Sequence, residues 1–270
     1  LLLKRPTSAA TDVNTLRAAG RLIRLTWHLL RGLRTLRRDF PVLGEAQRQQ
    51  AIRDWSTQAL RILGVHLQVL GEPPLAGPLL VVSNHMSWLD IFVLNASRPC
   101  RFVSKADVKH WPLVGELVAG SGTLFIEREK RRDALRVVHH MAERLQAGDV
   151  LAVFPEGTTG EGQGLLPFHA NLLQAALATD SPIQPVGLVY LHGQGQALLG
   201  EAPRHQAPVY VGSTTLLSSL WRTASAPDLQ ATVHWGEVDT AQGRDRRAWA
   251  EALRAEVARL SDQPMMLSDP

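Results

Sequence analysis

A histidine and an aspartate five positions apart, His85 and Asp90, stand in the heptapeptide NHMSWLD at residues 84–90. The segment follows directly on an apolar run, Leu79, Leu80, Val81 and Val82. An imidazole beside a carboxylate, at the end of a strand, suits general-base chemistry: the acid orients the ring and stabilises its cation. In one continuous helix, positions five apart sit about 140° apart and do not meet. They meet if His85 lies in a turn and Asp90 in the first turn of the helix that follows. Ser87 supports that division, because Ser-x-x-Asp over 87–90 is a capping-box-like start. The same residues also describe a plain helix cap beside a surface histidine. Serine and cysteine supply no matching nucleophile pattern, which points to a base acting on a hydroxyl of the substrate.

Two further segments carry polar groups at expected strand ends. In FPEGTT (154–159), Pro155 ends a strand, Glu156 stands at its carboxyl end and Gly157 permits close backbone approach. Ligands of open α/β sheets gather at such ends, although an ordinary strand-to-loop turn has the same composition. In GTLFIER (122–128), a strand leads into Arg128, whose guanidinium suits a phosphate. Arg131 and Arg132 follow, and a solvated basic helix start would read the same way. Lys105 ends another strand, where a lone lysine is more often structural. The chain has no G-x-S-x-G elbow, Walker loop, H-E-x-x-H or dinucleotide fingerprint. His139 and His140 are adjacent on an expected helix and diverge, which disfavours a metal pair. The lone cysteine, Cys100, excludes an intrachain disulfide and reads as a small buried residue.

The elements that must position these groups alternate from Val65 onward. Strands are expected at Val65–Leu70, Leu79–Ser83, Arg101–Ser104, Thr123–Ile126, Val150–Phe154, Ile183–Leu191, Val209–Val211 and Thr232–Glu237. Helices are expected at Ser87–Ala96, Trp111–Val118, Arg131–Gln146, Phe168–Ala178 and Arg244–Leu260. This is the pattern of an α/β fold with a mixed, largely parallel sheet flanked by helices. Loops with substrate-sized freedom are expected at Gly157–Gly164 and Gly193–Gly200. Of 270 residues, 45% are hydrophobic and 20% charged, enough material for a core and against wholesale disorder.

An amphipathic two-helix hairpin precedes this domain. Residues 13–38 put Arg17, Arg21, Arg24, His28, Arg31 and Arg38 on one face and Leu22, Leu25, Leu29, Leu33 and Leu36, widened by Ile23 and Leu30, on the other, with Trp27 near the boundary. Pro41 and Gly44 break it, and a second helix runs from Glu45 to Leu63. The division expected is a membrane-docking hairpin over 1–63 and an α/β domain over 64–270. Residues 1–63 hold 12 Lys+Arg and 4 Asp+Glu, a net of +8, against 17 and 21, a net of −4, in the remainder. A basic arm on a mildly acidic body suits an anionic surface. A basic amphipathic helix with a flanking Trp suits a membrane interface; packing on its own domain is the alternative. Nucleic acid is disfavoured, since no reader motif accompanies the arm. No uninterrupted apolar run of about 18 residues is present, and no secretory leader is legible.

Taken together and in this order, the motifs resemble the glycerolipid acyltransferases, the 1-acyl-sn-glycerol-3-phosphate acyltransferase family. NHMSWLD is similar to that family's N-H-x-x-x-x-D signature, GTLFIER to its second block, FPEGTT to its third and IQPV (183–186) to its fourth. The likeness covers about residues 65–192, and the hairpin is similar to the family's two-helix membrane element. The resemblance implies His85 as general base and Asp90 as its orienting acid. It implies an acceptor site formed by Arg128, Glu156 and Gly157, with Lys105, Thr158 and Pro185 as further substrate contacts. The acceptor would be a lysophospholipid, most simply 1-acyl-glycerol-3-phosphate giving phosphatidic acid, or another lyso-lipid such as lyso-ornithine lipid. The donor would be an acyl thioester, acyl-CoA or acyl-acyl carrier protein, with no bound cofactor, no metal and no acyl-enzyme. The expected location is peripheral or monotopic, at the cytoplasmic face of the inner membrane. A non-catalytic membrane-binding scaffold is the alternative from another class.

Overall fold

The computed structural model describes residues 8–73, 76–126, 131–193 and 203–262. Seven strands form one sheet: β1 (Val65–Leu70), β2 (Leu79–Ser83), β3 (Arg101–Lys105), β4 (Leu124–Ile126), β5 (Val150–Val153), β6 (Ile183–His192) and β7 (Leu229–Trp235). Their order is β1-β7-β6-β2-β5-β3-β4. All neighbours run parallel except β6 and β7, which are antiparallel, so the sheet is mixed and largely parallel. Eight α-helices accompany it among the described residues: α1 (Ser8–Arg38), α2 (Glu45–Leu63), α3 (Asp90–Ser97), α4 (Val114–Gly120), α5 (Arg131–Gln146), α6 (Gln174–Thr179), α7 (Leu216–Ser225) and α8 (Arg246–Asp262).

The continuous apolar runs of β2 and β5 are explained by burial on both faces. Alternate residues feed two cores. Leu79, Val81 and Ala152 join Leu60, Leu63, Val93 and Leu94 from α2 and α3. Leu80, Val82, Leu151 and Val153 join Met141, Leu145, Trp249, Leu253 and Val257 from α5 and α8. Each such Leu or Val contributes roughly 1.5–3 kcal/mol by leaving water.

The hairpin is part of the first of these layers. On α1, Leu25 and Leu33 are buried and Leu22, Leu29 and Leu36 half-buried, so the leucine stripe lies against the protein's own body. Ala18, Leu25, Ala59, Leu60 and Leu63 belong to the sheet's core. A Cβ on Gly32 would lie 2.6 Å from the Trp55 indole nitrogen, so glycine is what lets α1 and α2 approach there. Polar ties reinforce the docking: Arg21 donates to the carbonyls of Ala224 and Ala226 at the end of α7 (2.9 and 3.2 Å), and Arg37 forms a two-pronged pair with Glu116 of α4 (2.6 Å each). A different face of α1 looks outward. It carries Leu16, Ile23, Trp27 and Leu30, 75, 62, 65 and 41% exposed, among exposed Arg17, Arg24, Arg31 and Arg34.

Several sequence expectations need correction. Val209–Val211 is not a strand: it runs between Pro208 and a left-handed Gly212 (φ 60°), and Tyr210 donates its N–H to the Met86 carbonyl (2.9 Å) rather than to a ladder. Helix α7 has no counterpart in the expected set. The expected helix from Trp111 begins at Val114, because Leu113 adopts φ 63°, and a 3-10 helix fills Ala106–His110. The expected helix from Phe168 is a 3-10 turn, Ala170–Leu173, followed by α6. The loop expected over Gly193–Gly200 lies, after Gly193, outside the described residues.

Candidate active site

Because β2, β5, β3 and β4 run parallel, their carboxyl ends share one edge of the sheet. NHMSWLD leaves β2 there and FPEGTT leaves β5 beside it. Asn84 fixes the departure point: its amide accepts from the Leu188 N–H (2.7 Å) and donates to the Leu188 carbonyl (2.9 Å) on β6. His85 then occupies the turn and Asp90 opens α3, as the five-residue spacing requires. Regular helix begins three residues later than expected, yet the capping bonds are present around Ser87. Its hydroxyl accepts from the Leu89 N–H (3.2 Å), and Asp90 accepts from the Ser87 N–H (2.9 Å). The cap and the His85–Asp90 pair are therefore one structure.

Asp90 is fully buried, and its carboxylate is saturated with donors. Oδ2 accepts from His85 Nδ1 (2.8 Å), Met86 N–H (2.7 Å) and Ser87 N–H (2.9 Å), and Oδ1 from the Tyr190 hydroxyl (2.6 Å). With Nδ1–H committed to Asp90, the lone pair of neutral His85 sits on Nε2. Nε2 has no hydrogen-bond partner among the described residues, and the side chain is 20% exposed. The imidazole stacks on Phe154 at 4.0 Å and 11°, which holds its plane.

Glu156 secures the backbone beneath the imidazole. One oxygen accepts the His85 N–H and the other the Leu166 N–H, both at 2.8 Å. Burial pushes its carboxyl above the ordinary 4.5, opposed by those two N–H bonds and by the His85 charge. Gly160 donates to the His85 carbonyl (2.7 Å), so both backbone groups of His85 are held by the segment after β5. Gly157 supplies the turn, with φ 71° and its N–H on the Phe154 carbonyl (3.0 Å). The loop expected to be free is tethered instead. Arg204 donates to the Gly162 carbonyl, Arg254 to those of Leu165 (2.7 Å) and Leu166 (3.0 Å), and Thr159 to that of Tyr210. A small cavity of about 20 Å³ lies among His85, Glu156, Gly160 and Arg204. It has room for a water but not for a substrate, so a reactant must meet His85 from the open side.

The fold thus assembles His85, Asp90, Glu156 and Gly157. Lys105 is exposed at the same sheet edge, paired in register with Ile126 of β4. Arg128, two residues beyond that strand, lies outside the described residues. Thr158 is exposed in the loop after Gly157. Pro185 is buried within β6 opposite Val82, with its carbonyl accepting from Gly236 (2.9 Å), so it sits in the sheet rather than at its edge. Three groups escaped the sequence reading: Tyr190 on Asp90, the Asn84 amide, and the Pro208–Tyr210 segment that receives the Ser87 hydroxyl (2.6 Å) and binds Met86. Tyr190 follows IQPV by four residues, which is the one local signal that could have drawn attention to it.

The profile of the acyltransferase family matches residues 65–189, from β1 to the strand that carries Tyr190. The chain is 37% identical to a lyso-ornithine lipid O-acyltransferase of Pseudomonas aeruginosa, over 82% of this chain and 79% of that one. It is 36% identical to a 1-acyl-sn-glycerol-3-phosphate acyltransferase of Neisseria gonorrhoeae, over 78 and 82%. Its fold is similar to the crystal structure of the 1-acyl-sn-glycerophosphate acyltransferase of Thermotoga maritima, with a TM-score of 0.66, 19% identity and coverage of 94 and 98%. On this similarity across most of its length, the chain belongs to the acyltransferase family.

Proposed function

We propose that the protein transfers a fatty acyl group from a thioester donor to the free hydroxyl of a lyso-lipid, with His85 as general base. The observation that carries this reading is the His85–Asp90 pair, with Nδ1 bound at 2.8 Å to a buried carboxylate and Nε2 without a hydrogen-bond partner among the described residues, on a side chain that is 20% exposed. Nε2 takes the proton of the acceptor hydroxyl as its oxygen attacks the thioester carbonyl. The imidazolium forms against Asp90, the C–S bond breaks, and the departing thiolate recovers the proton. Direct transfer of this kind involves no acyl-enzyme, consistent with the lack of a nucleophile motif. General-base assistance is worth about 10²–10⁴-fold.

The leading acceptor is 1-acyl-glycerol-3-phosphate, whose phosphate suits the charges of Lys105, at the sheet edge where β3 ends, and of Arg128, two positions after β4 in the sequence. Lyso-ornithine lipid is the second reading, favoured by the similarity to the Pseudomonas aeruginosa enzyme of that name. Acyl-CoA and acyl-carrier-protein donors both supply the required thioester. Membrane delivery of the acceptor falls to the outward face of α1, where Ile23, Trp27 and Leu30 stand among arginines. That composition suits insertion at an anionic interface, at about 1 kcal/mol per basic residue. No helix among the described residues is long and apolar enough to cross a membrane; the contact proposed on the outer face of α1 is peripheral, at the cytoplasmic face of the inner membrane. The test is product identification by mass spectrometry with each lyso-lipid and a defined acyl thioester. Phosphatidic acid formation supports the leading acceptor, acylated ornithine lipid the second, and no product from either would sink the enzyme reading.

A further inference from the structure

Asp90 has two oxygens with unequal company. Oδ2 is held by three N–H groups from its own turn, whereas Oδ1 receives the hydroxyl of Tyr190, 100 positions away on β6. Tyr190 is 3% exposed and its ring packs in the core beside Val186 and Leu188. Burial and the neighbouring Asp90 charge raise its hydroxyl well above the usual 10.0, so it remains a neutral donor. A fully buried carboxylate oxygen without a donor is costly, and a carboxylate with one unbound oxygen rotates to find one. We infer that Tyr190 is a positioning residue of the acyl transfer: its hydroxyl fixes the Asp90 carboxylate in the rotation that keeps Oδ2 on His85 Nδ1. The orientation of the His85 ring then rests on a chain of hydrogen bonds that runs from Tyr190 through Asp90 to Nδ1. The backbone register supports it independently. Ser83 pairs with Val186, and the Asn84 amide clamps Leu188, so the strand end that launches His85 and the strand that carries Tyr190 are locked together.

This inference rests on the general-base reading, and Tyr190→Phe tests it apart from that reading. Phenylalanine keeps the ring and removes only the hydroxyl. The expected loss is about tenfold in kcat, the rate equivalent of one hydrogen bond to a charged group, with KM for both substrates unchanged. The Nδ1–H proton resonance of His85, assigned by its absence in His85→Ala, is expected to shift or broaden. Unchanged kcat would overturn the inference. So would a fall in kcat with the His85 resonance unmoved, since Tyr190 would then act by packing rather than through Asp90. Active His85→Ala would instead remove the general-base reading itself, whereas inactive His85→Ala beside an unaltered Tyr190→Phe would remove only the role of Tyr190.

Discussion

The turn around His85 and the outer face of α1 are built on opposite principles. At the turn, every polar contact points inward: Asp90 gathers four donors, Glu156 two, and the Asn84 amide closes on one residue of β6. Only one side of one ring is left for a reactant. On α1, large apolar side chains stand largely in solvent beside exposed arginines. Proton transfer needs a geometry fixed to fractions of an ångström, which burial and saturated hydrogen bonding supply. Adhesion to a fluid surface needs exposed apolar area and charge without fixed geometry. Changes at the first region should therefore alter turnover, and changes at the second should alter where the enzyme sits.

The sharpest break between them is Asp90→Asn. An amide keeps an acceptor for the turn's N–H groups but cannot stabilise an imidazolium, so kcat should fall about 10²–10⁴-fold while liposome binding is unchanged. Steady-state kinetics beside a flotation assay decide it. A smaller loss, about tenfold or more, is expected for Glu156→Gln. One end of its amide would present N–H to the N–H of His85 or Leu166, leaving a buried donor unpaired at about 1–3 kcal/mol. Both thermal midpoint and kcat should drop together, and a loss of activity with no change in midpoint would argue that Glu156 meets substrate rather than backbone.

At the other region, Ile23→Asp with Trp27→Asp should reduce flotation with anionic vesicles several-fold, leaving turnover of a monomerically dispersed lyso-lipid intact. Deleting α1 is a poorer test, because Leu25 and Leu33 are in the core and the domain would be destabilised with it.

The smallest effect is on pH, and of the groups behind it only Glu156 belongs to either region. His28, His205 and His234 are pushed below 6.5, mainly by burial. The unfolded chain therefore binds more protons just below 6.5, and stability present above that value is lost as pH falls through the folded values. Glu156 acts in the opposite sense: its raised carboxyl favours the protonated fold, and that contribution is lost as pH rises above 4.5 through its folded value. Urea unfolding at pH 7 and pH 5.5 should show lower stability at the acid value, and His205→Asn should flatten the difference.

The His85–Asp90 pair was legible because its determinants are local. Five residues, a serine cap and a preceding apolar run specify the turn, and FPEGTT specifies the neighbouring one. Tyr190 was not legible, because its contact depends on β6 lying beside β2, which local spacing does not encode. Helix α7 escaped although Leu216, Leu220 and Ala224 recur at helical spacing, because the segment is only 10 residues long and Ser219 and Thr223 share its buried face. Val209–Val211 misled because a short apolar run has strand composition, yet the Tyr210 N–H serves the turn around His85. On α1, periodicity separated a leucine stripe from an arginine stripe, but it set Ile23 and Leu30 with the leucines, whereas they face outward, and Arg21 and His28 with the outer arginines, whereas they reach Ala224 and Trp55. It did not say what covers the leucines, and the answer was the protein's own body.

The central claim is that His85 Nε2 removes the acceptor's proton. Turnover of a lyso-lipid by purified His85→Ala, with saturating acyl thioester and the folded state confirmed by thermal midpoint, tests it most directly. The account predicts a kcat lower by about 10²–10⁴-fold at an unchanged midpoint. Turnover within twofold of the parent protein would contradict it.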